Sequence, residues 1–422
     1  MIIKREHKLT ILHGEKLVIF DVEGVLIPKK RYLFFEVGRN LRFSQFATMV
    51  LYGILYELGL ISLKSAMKHV FKVFKGFRIE ELLRIFRQIP LMPSVEGVFE
   101  KLREEGWKTA LISSGLPTLV VRDLASRLEA DYAFGFELET KDAIVTGEIW
   151  GDVVERNGKL LILKGILEIE GLTPEDCVVV ADDRNNAPIL LPSMLKIGYN
   201  PDFAIRMKAD HVVTGKLLEI LPLINGQAKK DQTLPSNNEI LREIIHASGS
   251  IIPALSSLLG LYTISFLIII VTLFYIMSEL AMMEKKNLPI ISSITRYAAT
   301  PGETYEFITA PIFFALGILL TLLLFPVPLS SAAIAIFALG DSTASIFGRM
   351  VGRKTLFFNK GKTIEGSLFG LFFAFLAGTF FVSPLRALAG AVVAMVVETL
   401  PLPANDNLTI PLITGFILTL MV

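Results

Sequence analysis

The sequence predicts an α/β domain followed by an all-α domain that crosses a membrane several times. Charge marks the division, because residues 1–250 hold 66 of the 83 Asp, Glu, Lys and Arg residues and residues 251–422 hold 17. Long uncharged runs in the second part are typical of membrane helices. In the first part, short apolar runs stop at polar residues, which is the pattern of buried parallel strands.

The composition excludes several classes of protein. Lys and Arg number 42 against 41 Asp and Glu, so we expect no nucleic acid among the partners. A single cysteine excludes a disulfide framework and a multi-cysteine metal site. That residue, Cys177, begins an apolar run and is predicted to lie in the core. The first 15 residues are mixed and charged, which argues against a signal peptide and for a cytosolic first domain.

The α/β domain is predicted over residues 1–225, ahead of a polar linker at 226–238. Apolar runs predict three strands, and helical patterns at 95–105 and 159–170 precede the second and third of them. The three runs are Lys16–Phe20, Thr109–Ile112 and Cys177–Ala181. Because open parallel sheets place their chemistry at the carboxyl ends of strands, the polar residues that follow these runs form the candidate site.

The residues at these strand ends suit phosphoryl transfer. The carboxylate of Asp21 can attack phosphorus, and Glu23, two positions further on, can protonate the leaving oxygen. Asp182 can help to hold Mg²⁺. Lys159 and Ser113 can neutralise and orient the oxygens of a phosphate group.

Motifs in this half resemble those of a known family. DVEGV, ISSG, a Lys at the head of a helix and VVADDRNN occur in the order and spacing of the haloacid-dehalogenase-like hydrolases. Residues 90–115 resemble the phosphoserine-phosphatase-like branch. The resemblance covers residues 15–225 and implies a Rossmann-like domain with a helical cap at about 31–90, acting on a small phosphorylated substrate. It implies these roles: Asp21 as nucleophile, Glu23 as general acid and base, Ser113 and Lys159 on phosphate, and Asp182 with Asp21 on Mg²⁺.

Two positions depart from the family pattern. Glu23 stands where the family has Asp and is one methylene longer, which moves the proton. Asn186 stands at the last acidic position of the metal loop and removes a charge, for which Asp183, as a further metal ligand, can compensate. Two alternatives therefore stay open: an active phosphatase, or a catalytically degenerate domain that senses a phosphorylated ligand.

In the second half, polar residues cluster after an uncharged run. Asp341 follows Gly340 at what we expect to be a helix end, where it could hold the Mg²⁺ of a nucleotide. Five basic residues and no acid lie between Arg349 and Lys362. Basic side chains beside Gly, Thr and Ser amides suit a triphosphate. The alternative is a positive cytoplasmic loop that only sets the topology.

The order of motifs here resembles the dolichol kinase and phytol kinase family of CTP-dependent polyprenol kinases. The motifs are GDSTASIFGRMVGRK, GKTIEGS, ETLP and NDNLTIP within residues 239–422. The resemblance implies transfer of phosphate from CTP, with Mg²⁺, to an isoprenoid alcohol. A cytidylyltransferase that makes a CDP-lipid is the alternative enzyme. The candidate residues are Asp341 and Asp406 for catalysis, Asp341 for metal, Lys354 and Lys362 for phosphate, and Gly340, Gly348, Gly352, Glu365 and Gly366 for the nucleotide.

Two of these assignments stay open on the residues alone. Asp406 lies in a segment that could simply cap the last helix, and His246 could be a base or an interfacial side chain.

We expect a multi-pass integral membrane protein with about six helices in residues 239–422. Runs with few or no charges place spans at 307–325, 329–347, 364–382, 385–402 and 408–422. The stretch 251–279 must be either a tight hairpin of two short helices or one span with a re-entrant piece. Asp341, the basic stretch, Glu365 and Asp406 would then meet at the cytosolic surface. Since a kinase and a phosphatase on one substrate would cycle futilely, we expect different substrates for the two domains, or regulation of one domain by the other.

Overall fold

The computed structural model describes two compact units, residues 1–228 and 229–422, which divide within the predicted linker. The described residues are 16–29, 41–57, 60–155, 157–226, 235, 237–283, 297, 308–359, 361–400 and 405–421.

A seven-stranded sheet forms the centre of the first unit. Its strand order is β4-β3-β2-β1-β5-β6-β7. The strands are β1 (Lys16–Asp21), β2 (Trp107–Pro117), β3 (Tyr132–Lys141), β4 (Ile144–Trp150), β5 (Cys177–Ala181), β6 (Leu195–Tyr199) and β7 (His211–Val213). Helices cover both faces, so β1 and β5 are buried along almost their whole length and appear in the sequence as unbroken apolar runs.

The three predicted strands pair in parallel, but the whole sheet is mixed, which corrects the prediction of a parallel sheet. All neighbouring strands pair in parallel except β3 and β4, which form an antiparallel hairpin at the edge. The hairpin turns at Asp142 and Ala143, whose φ angles are 52° and 61°. Two consecutive positive φ angles give a tight turn that matches strand twist, but the residues lack the usual Asn-Gly signal. The hairpin was therefore not visible in the sequence.

The helices of the first unit lie between these strands. Three of them fall in the segment predicted as the cap: α1 (Phe43–Glu57), α2 (Leu63–Lys72) and α3 (Ile79–Arg87). The start of that segment, at 31–40, lies outside the described residues. The remaining helices are α4 (Val95–Glu104), α5 (Thr118–Leu128), α6 (Gly158–Glu170), α7 (Phe203–Lys208) and α8 (Ile220–Ile224). The sequence patterns at 95–105 and 159–170 correspond to α4 and α6.

The described part of the second unit is helical. Its helices are α9 (Asn237–Ser248), α10 (Ile252–Leu259), α11 (Leu261–Met283), α12 (Ala310–Leu324), α13 (Leu329–Met350), α14 (Ile364–Thr379), α15 (Pro384–Thr399) and α16 (Asp406–Leu420). Two of them, α11 and α13, are long and apolar enough to cross a membrane by length and composition alone. Helices α12, α14 and α16 are apolar but shorter, so crossing by each of them stays a prediction.

Residues 251–279 form neither a hairpin of two short helices nor a single helix. The eight residues of α10 are followed by Gly260 at φ +88° and then by the 23 residues of α11. A backbone in the left-handed region stops a helix, and glycine adopts it without a steric penalty. The arrangement is one long helix preceded by one short helix, which excludes the tight hairpin.

Asp341 does not lie at a helix end, which corrects the prediction. The residue lies near the middle of α13, a 22-residue helix packed in the centre of the unit against α14, α15 and α16. The uncharged run stops at Gly340, but the helix continues because the residues that follow are small or helix-compatible. The change from apolar to polar residues after Gly340 therefore reflects a change in the surroundings of α13 and not the end of the helix.

Candidate functional sites

The first site lies at the carboxyl ends of three adjacent strands. In β1, Asp21 is in register with Ile112 of β2, and Phe20 is in register with Val180 of β5. Ser113, the next residue along β2, and Asp182, the residue that follows β5, are therefore brought beside Asp21. Parallel pairing alone collects side chains that are far apart in the sequence at one edge of the sheet.

Asp21 is held by a buried cation and an amide. The Nζ atom of Lys159 lies 2.8 Å from Asp21 Oδ1 and 2.7 Å from Asn186 Oδ1. Asn186 in turn donates from Nδ2 to Asp21 Oδ2, and the Val22 amide donates to Asp21 Oδ1 at 2.9 Å. Only 4% of the Lys159 side chain and 6% of the Asp21 side chain are exposed. These contacts fix the position of the Asp21 carboxylate at the end of β1.

Three carboxylates come together beside this pair. Oxygens of Asp21, Asp182 and Asp183 all lie within 4.8 Å of one another, and the first two residues are buried. Hard carboxylate oxygens at this spacing are the donor set that Mg²⁺ prefers. The residues present therefore fit a Mg²⁺ ion. Lys29, which the sequence did not single out, lies 3.6 Å from Asp182 through its Nζ atom.

Gly24 makes room for the Asp182 carboxylate. Its φ is +87°, and a Cβ atom added there would lie 2.1 Å from Asp182 Oδ2. Both the backbone conformation and the close approach require glycine. The DVEGV motif thus shapes the acidic cluster as well as contributing Asp21 to it.

Glu23 and Ser113 contact each other directly. Ser113 Oγ donates to Glu23 Oε2 at 2.8 Å, and both residues are buried. The backbone amides of Gly115 and Leu116 donate to Ser113 Oγ at 3.2 and 2.9 Å. The structure thus joins the predicted acid to the predicted phosphate ligand.

The loop that follows β5 also contacts helix α1. The hydroxyl of Tyr56 donates to Asn185 Oδ1, and Arg184 donates from Nη2 to the Tyr56 carbonyl at 3.3 Å. The Arg184 guanidinium also lies 5.4 Å from the centre of the Tyr56 ring. The sequence analysis missed Tyr56, because a tyrosine within an apolar helix gives no signal that distinguishes it from a core residue.

A second polar cluster surrounds Asp341 in the second unit. His246 Nδ1 lies 3.4 Å from Asp341 Oδ2, and Asp341 also lies within electrostatic range of Glu243, Lys362 and Glu398. Glu243 is buried and accepts a hydrogen bond from Ser345 at 2.9 Å. The structure therefore places Glu243 and His246 of α9, Glu398 of α15 and Lys362 of the segment before α14 around the Asp341 carboxylate.

The tautomer of His246 follows from its neighbours. Asn407 donates from Nδ2 to the Ala310 carbonyl at 3.2 Å, which leaves its Oδ1 facing His246 Nε2 at 3.0 Å. A neutral His246 therefore carries its proton on Nε2 and presents the lone pair of Nδ1 to Asp341. His246 also packs on the rings of Phe314 and Phe337, so its assignment as a base or as an interfacial side chain stays a prediction.

Lys362 lies in the same cluster and contacts Glu398. The two side chains form an ion pair, and the Glu398 carboxylate is completely buried in α15. Asp406 is the first residue of α16 and lies within electrostatic range of Lys362. The cap of α16 is Asn405, which accepts the Asn407 amide at 3.0 Å. Asn405, and not Asp406, therefore caps α16.

The glycines assigned to the nucleotide have close helix contacts. A Cβ atom on Gly366 would lie 2.6 Å from the Ala344 carbonyl, and one on Gly340 would lie 3.0 Å from Ala374 Cβ. Cβ atoms on Gly348 and Gly352 would approach Thr363 Oγ1 to 3.1 and 2.5 Å. Small residues at these positions let α13, α14 and the segment between them approach closely. Packing explains these glycines without a ligand.

Glu365, the second residue of α14, contacts the backbone of the segment between α13 and α14. The Glu365 carboxylate accepts the backbone amides of Arg353 at 3.0 Å and Lys354 at 3.2 Å. The Lys354 side chain is exposed. The structure thus gives Glu365 a role in fixing the loop, while the assignment of both residues to phosphate or nucleotide stays a prediction.

Comparison with known proteins supports the first resemblance. Residues 18–190 match the family model of haloacid dehalogenase-like hydrolases. A phosphoserine phosphatase of Archaeoglobus fulgidus is 30% identical over 203 residues, which are 48% of this chain and 57% of that protein. A phosphoserine phosphatase of Methanocaldococcus jannaschii is 26% identical over 211 residues, which are 50% of this chain and 98% of that protein.

A solved structure titled as a phospho-aspartyl intermediate analogue of phosphoserine phosphatase covers 50% of this chain, with a TM-score of 0.45 and 26% identity. The match of residues 18–190 to the family model, together with the sequence relatives, confirms the family predicted for the N-terminal half. The family match ends at residue 190, and the resemblance of residues 239–422 to polyprenol kinases stays a prediction.

Proposed function

We propose that the N-terminal half, a haloacid dehalogenase-like hydrolase domain of the phosphoserine phosphatase branch, hydrolyses small phosphomonoesters with Mg²⁺. The observation that carries this proposal is the buried contact of Asp21 with Lys159 beside the carboxylates of Asp182 and Asp183. Phosphoserine is the first substrate to test, because the relatives compared above are named for it. Retention of Asp21, Lys159 and the acidic cluster favours an active enzyme over a degenerate sensor.

The residues support a two-step reaction. An oxygen of Asp21 attacks phosphorus, the bond to the leaving oxygen breaks, and Glu23 gives that oxygen a proton. Water then attacks the acyl phosphate, Glu23 takes a proton back, and phosphate leaves. Lys159 neutralises charge at Asp21 throughout. Mg²⁺ held by Asp21, Asp182 and Asp183 supplies charge neutralisation on the phosphate oxygens when bound.

Assays of the purified full chain test this proposal. We expect Mg²⁺-dependent release of phosphate from phosphoserine or p-nitrophenyl phosphate, and loss of this activity in Asp21→Asn. Asp142→Asn is the matched control, because Asp142 is exposed in the β3–β4 turn and Asn tolerates its positive φ. No hydrolysis of either substrate, or equal activity of Asp21→Asn and the control, would reject the proposal.

We further propose that the second unit transfers phosphate from CTP to an isoprenoid alcohol in a bilayer. The supporting observation is the cluster around Asp341, where Lys362, Glu398, Glu243 and His246 converge among apolar helices. Ionisable residues at such depth are costly and generally serve a site. The alcohol oxygen would attack the terminal phosphorus, CDP would leave, and a carboxylate would accept the alcohol proton.

The nucleotide product distinguishes the candidate enzymes. With labelled CTP, Mg²⁺ and a panel of isoprenoid alcohols, a kinase releases CDP whereas a cytidylyltransferase releases pyrophosphate. We expect CDP, and loss of transfer in Asp341→Asn. Arg386→Gln is the control, because Arg386 lies at the opposite end of α15 from Glu398. Release of pyrophosphate, or unchanged transfer by Asp341→Asn, would reject the kinase.

The membrane arrangement is part of this second proposal. Helices α11 and α13 supply two spans, and the first unit would lie in the cytosol with the nucleotide. Cys177 is the single cysteine, so cysteines introduced at positions 341 and 362 in a Cys177→Ser background would report accessibility. We expect both to react from the cytosolic side. Labelling from opposite sides of the bilayer would exclude a shared pocket.

A further inference from the structure

A series of side-chain hydrogen bonds joins helix α1 to Asp21 through the loop that follows β5. The Tyr56 hydroxyl donates to Asn185 Oδ1, and Asn185 donates from Nδ2 to Asp183 Oδ2 at 2.8 Å. Asn186 donates from Nδ2 to the other oxygen of Asp183, Oδ1, at 3.0 Å and also to Asp21 Oδ2. Tyr56, which lies 129 positions before Asn185, is thereby connected to two carboxylates of the acidic cluster.

The donors and acceptors of this series can be arranged in one way. An ionised carboxylate only accepts hydrogen bonds, so Asn185 has to turn its NH₂ group towards Asp183. The carbonyl oxygen of the Asn185 side chain then faces Tyr56 and needs a donor, which the phenol hydroxyl supplies. The orientation of Asn185, and with it the support of Asp183, thus depends on the donation from Tyr56.

Arg184 holds the Tyr56 side chain in this place. Its guanidinium lies 5.4 Å from the centre of the Tyr56 ring, and its Nη2 atom donates to the Tyr56 carbonyl at 3.3 Å. The Arg184 amide donates to Oδ2 of Asp202 at 2.8 Å, which ties the same loop to the residue that caps α7. Tyr56 is 9% exposed, so little water is available to replace its hydroxyl as the donor to Asn185.

We infer that Tyr56 is a positioning residue for the Mg²⁺ ion that the acidic cluster fits. Its hydroxyl holds Asn185, and Asn185 in turn holds the carboxylate of Asp183. Side chains that stand behind the ligands of a metal fix the orientation of those ligands, and their loss lowers the affinity for the metal by about 10- to 100-fold. The inference rests on the Mg²⁺ site of the proposed hydrolase, and it gives helix α1 a part in forming that site.

The coupling between Tyr56 and Mg²⁺ acts in both directions. If Mg²⁺ binds more tightly when the Tyr56 hydroxyl is in place, bound Mg²⁺ has to hold that hydroxyl in place by the same factor. Helix α1 should therefore open less often when Mg²⁺ is bound, and the exchange of its amide hydrogens with solvent should become slower. This second consequence can be measured without catalysis.

The melting temperature of the purified full chain at increasing Mg²⁺ concentrations tests the inference. Both tryptophans lie on strands of the first unit, so melting followed by their fluorescence reports Mg²⁺ binding to that unit. Tyr56→Phe removes the hydroxyl and keeps the ring. We expect this variant to need about tenfold more Mg²⁺, or more than that, for the same upward shift.

Tyr52→Phe is the matched control. Tyr52 lies one turn earlier in α1, and its ring stacks on that of His69 with the ring centres 4.1 Å apart, a contact that phenylalanine keeps. We expect the Mg²⁺ requirement of this control to stay within about twofold of that of the unaltered chain. Equal Mg²⁺ requirements of Tyr56→Phe and Tyr52→Phe would overturn the inference.

A double variant separates positioning of the loop from a change within the helix. In an Asn185→Ala background the Tyr56 hydroxyl has lost its partner in the loop. Adding Tyr56→Phe to that background should therefore raise the Mg²⁺ requirement no further. Losses that add in the double variant would show that Tyr56 does not act through Asn185, and would overturn the inference.

Amide exchange in the unaltered chain decides the question if Tyr56→Phe fails to fold. We expect Mg²⁺ to slow hydrogen–deuterium exchange within residues 43–57, and unchanged exchange there would overturn the inference. The expected Mg²⁺ effects without hydrolysis of phosphoserine or p-nitrophenyl phosphate would reject the proposed function alone. Hydrolysis with an unchanged Mg²⁺ requirement in Tyr56→Phe would overturn this inference alone.

Discussion

The Nζ atom of Lys159 lies 2.8 Å from the Oδ1 atom of Asp21, although the two residues are 138 positions apart and both side chains are almost fully buried. Lys159 reaches this position as the second residue of α6. Before a divalent ion binds, the ammonium group of Lys159 balances the negative charge of the Asp21 carboxylate. The first prediction follows from removing it.

Lys159→Met should destabilise the first unit and abolish hydrolysis. Breaking a buried ion pair leaves a buried charge without compensation, which costs about 3–5 kcal/mol. Both tryptophans, Trp107 and Trp150, lie on strands of the first unit, so tryptophan fluorescence during urea unfolding without Mg²⁺ reports on this unit alone. Lys164→Met, at an exposed position of the same helix, should change stability by less than about 0.5 kcal/mol. Equal unfolding curves for the two variants would contradict the prediction.

Asn186→Asp should make the first unit depend more strongly on Mg²⁺. The Asn186 amide donates to Asp21 Oδ2 and to Asp183 Oδ1, so a carboxylate in its place would repel both without a cation. Without Mg²⁺, we expect this variant to melt at a lower temperature than the unaltered chain, by about 2–4 °C for each kcal/mol of stability lost. When Mg²⁺ is added, we expect its melting temperature to rise by more than that of the unaltered chain. Asn225→Asp, which is exposed, should respond to Mg²⁺ as the unaltered chain does. An unchanged Mg²⁺ shift in Asn186→Asp would reject the metal site.

Gly24→Ala should weaken Mg²⁺ binding through Asp182. The added Cβ would lie 2.1 Å from Asp182 Oδ2, so this carboxylate has to move. Displacing a metal ligand lowers the affinity for the metal by about 10- to 100-fold. We therefore expect the Mg²⁺ concentration for half-maximal hydrolysis to rise by about 10- to 100-fold. Gly106→Ala is the control, because Gly106 has a similar φ of +79° and open space around it. Its backbone strain should cost roughly 1–2 kcal/mol and leave the Mg²⁺ requirement unchanged.

Cys177 should not react with thiol reagents in the folded protein. Burial raises the pKa of its thiol to about 12, so almost none of it is thiolate at pH 8. We expect no labelling by a disulfide reagent at pH 8 and one thiol per chain after denaturation, because the chain has one cysteine. Rapid stoichiometric labelling of the native protein would show that β5 is not in the core.

Lys362→Met should destabilise the second unit more than the removal of both charges does. The single change leaves Glu398 buried without its cation, at a cost of about 3–5 kcal/mol, whereas Lys362→Met with Glu398→Gln removes the uncompensated charge as well. Loss of circular dichroism on heating in detergent should therefore occur at a lower temperature for the single variant. Lys354→Met is the exposed control. Additive losses in the double variant would contradict the pairing.

Much of the first unit could be predicted because its strands are buried on both faces. The strand predicted at Cys177–Ala181 has those bounds in the structure, and the polar residues that follow the strands lie together at one edge of the sheet. An unbroken apolar run gives a clear signal, and parallel topology then fixes where the strand ends meet. The antiparallel β4 was missed because its turn residues, Asp142 and Ala143, give no strong hairpin signal.

The contacts within the sites could not be predicted from the sequence. That the Asn186 amide bridges Lys159 and Asp21, and that Ser113 donates to Glu23, depends on side-chain directions at the sheet edge, which spacing along the chain does not determine. In the second unit, the place of Asp341 within α13 was misjudged because a change in polarity was taken as a change in structure. Side-chain polarity depends on what surrounds a helix, whereas helix continuity depends on its backbone.

The division of the chain near residue 228 has a consequence for synthesis. All strands of the sheet, including β7 at its edge, are encoded before that point, so synthesis of the hydrolase unit precedes synthesis of the apolar helices. At about 5–20 residues per second, translation of residues 229–422 alone takes on the order of 10–40 s, during which the hydrolase unit can fold. A variant that slows folding of the sheet would expose its apolar strands next to nascent hydrophobic helices, and aggregation during translation would follow.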